Sequence, residues 1–174
     1  MERTAQLIIG MTLLCAALPV TPMKYAAWVH GSALQHRHLE GAINDWKLLH
    51  SQTGSGVEIR RGSSSSTVAT FALPIPAPVI IDDRRLKFVK VMVRYRAENG
   101  AYIDRVIVND RENQLNYVFF SSPASSKQIQ MITVHAAAGV NTDALWGYGV
   151  AIRVNSGDRC DAILEIISAG IDFD

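Results

Sequence analysis

From Lys87 to Val108, apolar and polar residues alternate with a period of two, in two runs separated by Asn99-Gly100. Both runs are rich in β-branched and aromatic residues, which pack well on a pleated surface. Asn-Gly supplies the two positive φ angles of a type I′ turn, so the pattern predicts a β-hairpin. In that register Arg94 would face Arg105, Tyr95 would face Asp104 and Val93 would face Val106. Val91, Val93, Val106 and Val108 would form the core face. Lys90, Arg94, Arg96 and Arg105 would share the opposite face.

Similar runs recur along the chain. Lys24 to Gln35 reads as a strand broken at Gly31, Val57 to Arg60 as a short strand, and Thr67 to Leu73 as another. Pro74-Ile-Pro-Ala-Pro78 lacks three backbone donors, so it must be extended and lie at a sheet edge or between sheets. Strands follow at 79–81, 114–120 and 128–135. From Trp146 to Val154 one face carries Trp146, Tyr148, Val150, Ile152 and Val154, and the other carries Gly147, Gly149, Ala151 and Arg153. Gly157-Asp158 turns the chain into a last strand from Ala162 to Ser168. The stretch from His38 to His50 is open. Leu39, Ala42, Ile43, Trp46 and Leu49 recur at helical spacing, but a loop with buried anchors fits as well. Eight to ten strands with turns at short intervals predict an all-β, two-sheet antiparallel sandwich of jelly-roll type. An immunoglobulin-like sandwich is the alternative, although its Cys–Trp–Cys signature is missing.

The chain has 174 residues, 48% of them hydrophobic and 19% charged, which suits one domain with a substantial core. A formal net charge of +1 gives no global attraction to nucleic acid or to an acidic membrane. Two cysteines, Cys15 and Cys160, exclude a disulfide scaffold and a structural zinc site. The apolar run Leu7 to Leu14 admits two readings. As a short secretory signal it predicts a secreted or periplasmic protein. If translation starts at Met23, residues 1–22 are not part of the protein, which is then cytoplasmic. The run is too short for a transmembrane helix. The sandwich is expected over residues 23–174.

Six phrases occur in order: Trp28 to Gly31 (WVHG), Leu73 to Ile80 (LPIPAPVI), Leu86 to Tyr95, Ile103 to Asp110, Trp146 to Val154, and Ser168 to Phe173 (SAGIDF). Over roughly residues 25–174 the chain thereby resembles a family of mostly bacterial β-sandwich proteins, a domain of unknown function. The resemblance implies the sandwich and a start near Met23, and it implies no activity. The chain departs from the family pattern at Thr70 to Ala72 and at Arg111.

Candidate chemistry is sparse. No nucleophile elbow, zinc-binding His-Glu-x-x-His or phosphate-binding glycine loop is present, so no catalytic residue, metal ligand or cofactor is assigned. Asp104 and Glu165 could pair as glycosidase carboxylates, but no spacing demands it. The acidic turns at 82–83 and 110–113 are explained by turn chemistry. Like charges at Arg94 and Arg105, placed directly across strands, would be unfavourable unless an anion lay beside them. That anion is either an internal carboxylate such as Glu165 or a ligand. Trp28, Trp46 and Trp146 are candidate sugar platforms; Trp146 falls in phase with the core, and Trp46, between Asp45 and Lys47, is the one expected to be partly exposed. Lys90, Arg94, Arg96, Arg105 and Trp46 therefore define the expected ligand site. The expected function is a non-catalytic binding module that recognises a glycan or an acidic protein surface through a β-sheet face, with an anionic glycan as the expected partner on the basic stripe. A structural, self-assembling subunit and a hydrolase are the alternatives, with a homo-oligomer left open.

Overall fold

The computed structural model describes residues 25–37, 46–51, 54–62, 67–76, 80–81, 83–110, 113–119, 126–139, 141–143 and 147–174. Trp146, the 38–45 stretch and the N-terminal run lie outside them. Among these residues thirteen strands follow in chain order: β1 (Tyr25–His30), β2 (Gln35–His36), β3 (Trp46–His50), β4 (Val57–Arg61), β5 (Val68–Ile75), β6 (Ile80–Ile81) and β7 (Arg84–Arg85). They continue with β8 (Phe88–Glu98), β9 (Tyr102–Asp110), β10 (Asn113–Phe119), β11 (Ser126–His135), β12 (Tyr148–Asn155) and β13 (Ile163–Phe173).

Two antiparallel sheets stack face to face. The first runs β11-β8-β13-β4-β3, with β1 also paired to β13; the second runs β10-β9-β12-β5-β2. A two-residue ribbon, β6-β7, turns at Asp83, whose φ is 58°. The fold is thus the all-β jelly-roll sandwich that the alternation predicts. Alternate side chains of each strand enter one core. Phe88, Val91, Val93, Leu164 and Ile171 reach it from the first sheet, and Phe71, Leu73, Val106, Val108 and Ile152 from the second. Tyr148 closes one end. Its ring packs 5.3 Å from that of Phe173 and its hydroxyl donates to the Thr142 carbonyl at 2.9 Å. Burial, then the nearby Asp110 charge, push its phenol well above the ordinary value.

The expected hairpin is corrected. Asn99 and Gly100 do adopt φ of 55° and 81°, and the Ala101 amide donates to the Glu98 carbonyl at 3.1 Å. Yet β8 pairs with β13 and β11, while β9 pairs with β12 and β10. The turn is an arch that carries the chain from one sheet to the other. All four valines are buried as expected, because an arch and a hairpin bury the same alternate residues. They meet across the core instead of side by side.

Two other boundaries moved. The last strand continues beyond Ser168 to Phe173, and this second half receives β1. The helical spacing around Trp46 is overridden: Trp46–His50 pairs with β4 as a strand. Pro74 lies in β5 opposite Gly149 of β12. β2 reaches only Phe71 and Ala72, so the missing Pro74 donor falls where β5 is a sheet edge, as its chemistry requires.

Candidate functional site

Four aligned strands, β1, β13, β8 and β11, make the larger part of the first sheet's outer face. Their register sets side chains in rows. Trp28, Gly170, Met92 and Thr133 form one row; His30, Ser168, Arg94 and Met131 form the next; Ala26, Asp172, Lys90 and His135 flank them on the other side. Trp28 is 47% exposed. A Cβ built on Gly170 would fall within 2.8 Å of its indole Cδ2, Cε2 and Cε3. Cδ2 is bonded to three ring atoms, so an atom can come that near only over the ring plane. The indole therefore lies face-down on Gly170, with its other face toward solvent. Only glycine leaves room for this contact.

Polar groups surround the platform. His30, two residues along β1, accepts at Nδ1 from the Ser32 amide at 3.2 Å. An amide can only donate, so Nδ1 is the acceptor in this contact and Nε2 is the ring nitrogen left for other partners. Lys90 Nζ lies 3.2 Å from Asp172 Oδ2. Arg96 Nε makes a 2.8 Å charge contact with Glu165 Oε2, and its terminal nitrogen donates to Ser55 Oγ at 2.9 Å. Ser55 in turn donates to Glu165 Oε1 at 2.5 Å. Arg94 is exposed and, among the described residues, has no carboxylate partner.

These positions revise the expected site. Lys90, Arg94 and Arg96 do share one face, but β13 supplies carboxylates to the first and last. Arg105 does not join them, because β9 belongs to the other sheet. There it faces Arg153, and β9 carries an extra residue, Asp104, between the partners of Arg153 and Val154. This bulge re-aims the Asp104 carboxylate, which accepts from Arg153 Nε at 2.6 Å. A like-charge pair answered by an internal carboxylate thus exists, with different residues from those expected. Asp104 and Glu165, on separate sheets, form no pair. Trp46 is only 3% exposed, with its ring 6.4 Å from that of Phe71 across the core, so it is no platform.

Trp28 was the residue that sequence reasoning undervalued. The signal is there: Tyr25, Ala27 and Val29 alternate inward, which sends Trp28 and His30 outward.

The outer face of the second sheet differs. A cavity of about 500 Å³ lies over Ala72, Pro74, Gly149 and Ala151, with Gln35 and Arg37 on one rim and Asn109 on the other. A third feature returns to the first sheet. Ser51, Glu58, Arg60, Arg96, Glu98, Ile163 and Glu165 line a polar pocket of about 250 Å³.

The architecture defines an antiparallel jelly-roll sandwich with a chemically furnished outer sheet face. Its likeness to solved structures is one of fold. The chain superimposes on the xylan-binding module CBM15 with a TM-score of 0.52 at 9% identity, over 85% of this chain and 95% of that one. The CBM36-1 domain of a multidomain xylanase from the hindgut metagenome of Trinervitermes trinervoides matches with a TM-score of 0.43 at 11% identity, over 84% and 96% of the two chains. No family model matches the sequence, and no curated protein does.

Proposed function

We propose that this protein is a non-catalytic glycan-binding module that holds its ligand on the outer face of β1, β13, β8 and β11. The observation that carries this reading is the indole of Trp28, laid flat on Gly170 with its free face in solvent. A pyranose ring has an apolar C–H face and a polar rim. A flat aromatic surface takes the face, and fixed donors and acceptors beside it take the rim. Here those are His30 Nε2, the Ser168 hydroxyl and Arg94, all in the adjacent row. The ligand is neutral in this reading, because the face compensates Lys90 and Arg96 internally. The fold likeness to a xylan-binding module agrees with it.

One observation favours an acidic glycan instead: Arg94, exposed and, among the described residues, unanswered by a carboxylate. Trp28→Ala, measured by affinity electrophoresis in xylan and other insoluble or soluble polysaccharides, should weaken binding about tenfold or more, by analogy with the ~1–3 kcal/mol of an aromatic stacking platform. Gly149→Leu, which fills the cavity on the other sheet, should leave binding intact. The reverse pattern would move the site to the second sheet. An acidic ligand would announce itself by binding that falls with salt and with Arg94→Gln.

A further inference from the structure

We infer that the ligand extends beyond Trp28 along β13 into the polar pocket at Glu165, so that the face reads a linear, neutral oligosaccharide and not a single sugar. This inference rests on the glycan-binding reading above and adds the length and charge of what is bound. Register carries it. Gly170 faces Met92 and Glu165 faces Arg96, and Met92 and Arg96 sit on the same side of β8. Trp28 and the pocket are therefore on one face, four β8 residues apart, or about 13 Å at strand rise. A monosaccharide on the indole does not reach that far, whereas a short oligosaccharide does. Between the two ends lie Ser168, Arg94 and the bulged residue Ile167, skipped in the pairing with β8.

The pocket is organised before any ligand arrives. Glu165 is held by Arg96 and Ser55, and Glu58, directly across from Glu165 on β4, is held by Arg60 Nε at 3.0 Å. Fixed in this way, the carboxylates keep lone pairs and the guanidinium groups keep N–H bonds for a ligand at little ordering cost. Neighbouring sugar hydroxyls both donate and accept, which suits carboxylates alternating with guanidinium groups. In the lining Glu58, Glu98 and Glu165 face Arg60 and Arg96, and the exposed Lys127, 3.8 Å from Glu98, balances the third carboxylate from the edge, so an anionic unit finds no net attraction there.

Isothermal titration of the full chain with a length series of neutral xylo- and gluco-oligosaccharides tests this. Affinity should rise about tenfold or more from disaccharide to the length that spans both ends, then level off. Arg60→Gln, at a side chain 45% exposed and thus gentle on the fold, should erase that gain. Equal affinity for short and long oligosaccharides, or a length gain untouched by Arg60→Gln, overturns the extended site. If Trp28→Ala abolishes binding while the length series is flat, only the extension fails. If no oligosaccharide binds, or Trp28→Ala changes nothing, the underlying glycan reading fails with it.

Discussion

On the first sheet's outer face, Trp28, His30, Arg94 and the Glu165–Arg96–Ser55 chain stand up from the strands. On the second, Ala72, Gly149 and Ala151 lie low beneath a cavity, and the charges of Arg105, Arg153 and Asp104 are confined to the rows beyond Ala151. Both faces back onto the same core, and both come from strands of ordinary alternation. The fold therefore constrains only half of each strand. The inward half must be apolar, and the outward half is free to become a charged, aromatic surface or a bare floor. A fixed charge network with a flat indole is preorganised for a ligand. A bare floor offers volume without direction.

The sharpest way to break this contrast is to remove the acid that organises the first face. Glu165→Leu strips Arg96 and Ser55 of their shared partner. Denaturant unfolding should show a loss of about 3 kcal/mol, the lower end for a buried pair, since Arg96 keeps some water. Losing Asp104 on the second sheet would strand only Arg153, so Asp104→Asn should cost less. Next comes one kind of change made on both faces. Gly170→Leu drives a side chain into the Trp28 ring and should cost about 1–3 kcal/mol by overpacking, with the indole lifted and its fluorescence shifted. Gly149→Ala meets nothing within 4 Å and should be neutral or stabilise by about 0.5 kcal/mol. Similar costs at the two glycines would mean that Trp28 does not rest on Gly170.

The smallest effect lies beneath the second face. The folded-state phenol of Tyr148 is raised above its ordinary 10.0, so the fold prefers the protonated form. Stability is then unaffected at pH below about 10 and falls as pH rises beyond it, where the unfolded chain ionises more readily. Melting curves of Tyr148→Phe against pH should be flatter in that range. Parallel curves would remove Tyr148 as the cause.

Much of this architecture was legible from the chain. Alternation placed Val91, Val93, Val106 and Val108 in the core, and the missing proline donors placed the segment from Pro74 at a sheet edge or between sheets, of which the edge is realised at Pro74. Pairing was not legible, because Asn99-Gly100 has the same positive φ angles in an arch as in a hairpin, and burial is the same for both. That error produced the Arg94–Arg105 pair and put Arg105 on the wrong sheet. The second half of β13 was hidden by its Ala169, Gly170 and Asp172, weak strand formers whose place is set by partners on both sides. Trp46 was expected to be partly exposed because charged residues flank it in sequence, although in a strand Lys47 points away from the face that Trp46 buries. Trp28 needed Gly170, a contact made across more than a hundred residues.

β13 pairs with β8 along its length and with β4 and β1 on its other side. On the ribosome this makes it the piece everything waits for. β8 ends at Glu98 and β13 begins only at Ile163, so at roughly 5–20 residues per second the nascent chain carries β8 for several seconds without its central neighbour. During that interval Val91 and Val93 have no closed core, and one edge of β8 is an open template for another strand. Pairing at such sequence separation is slow as well. The protein's exposure to chaperones and to aggregation is therefore set by when β13 emerges, more than by anything in the finished sandwich.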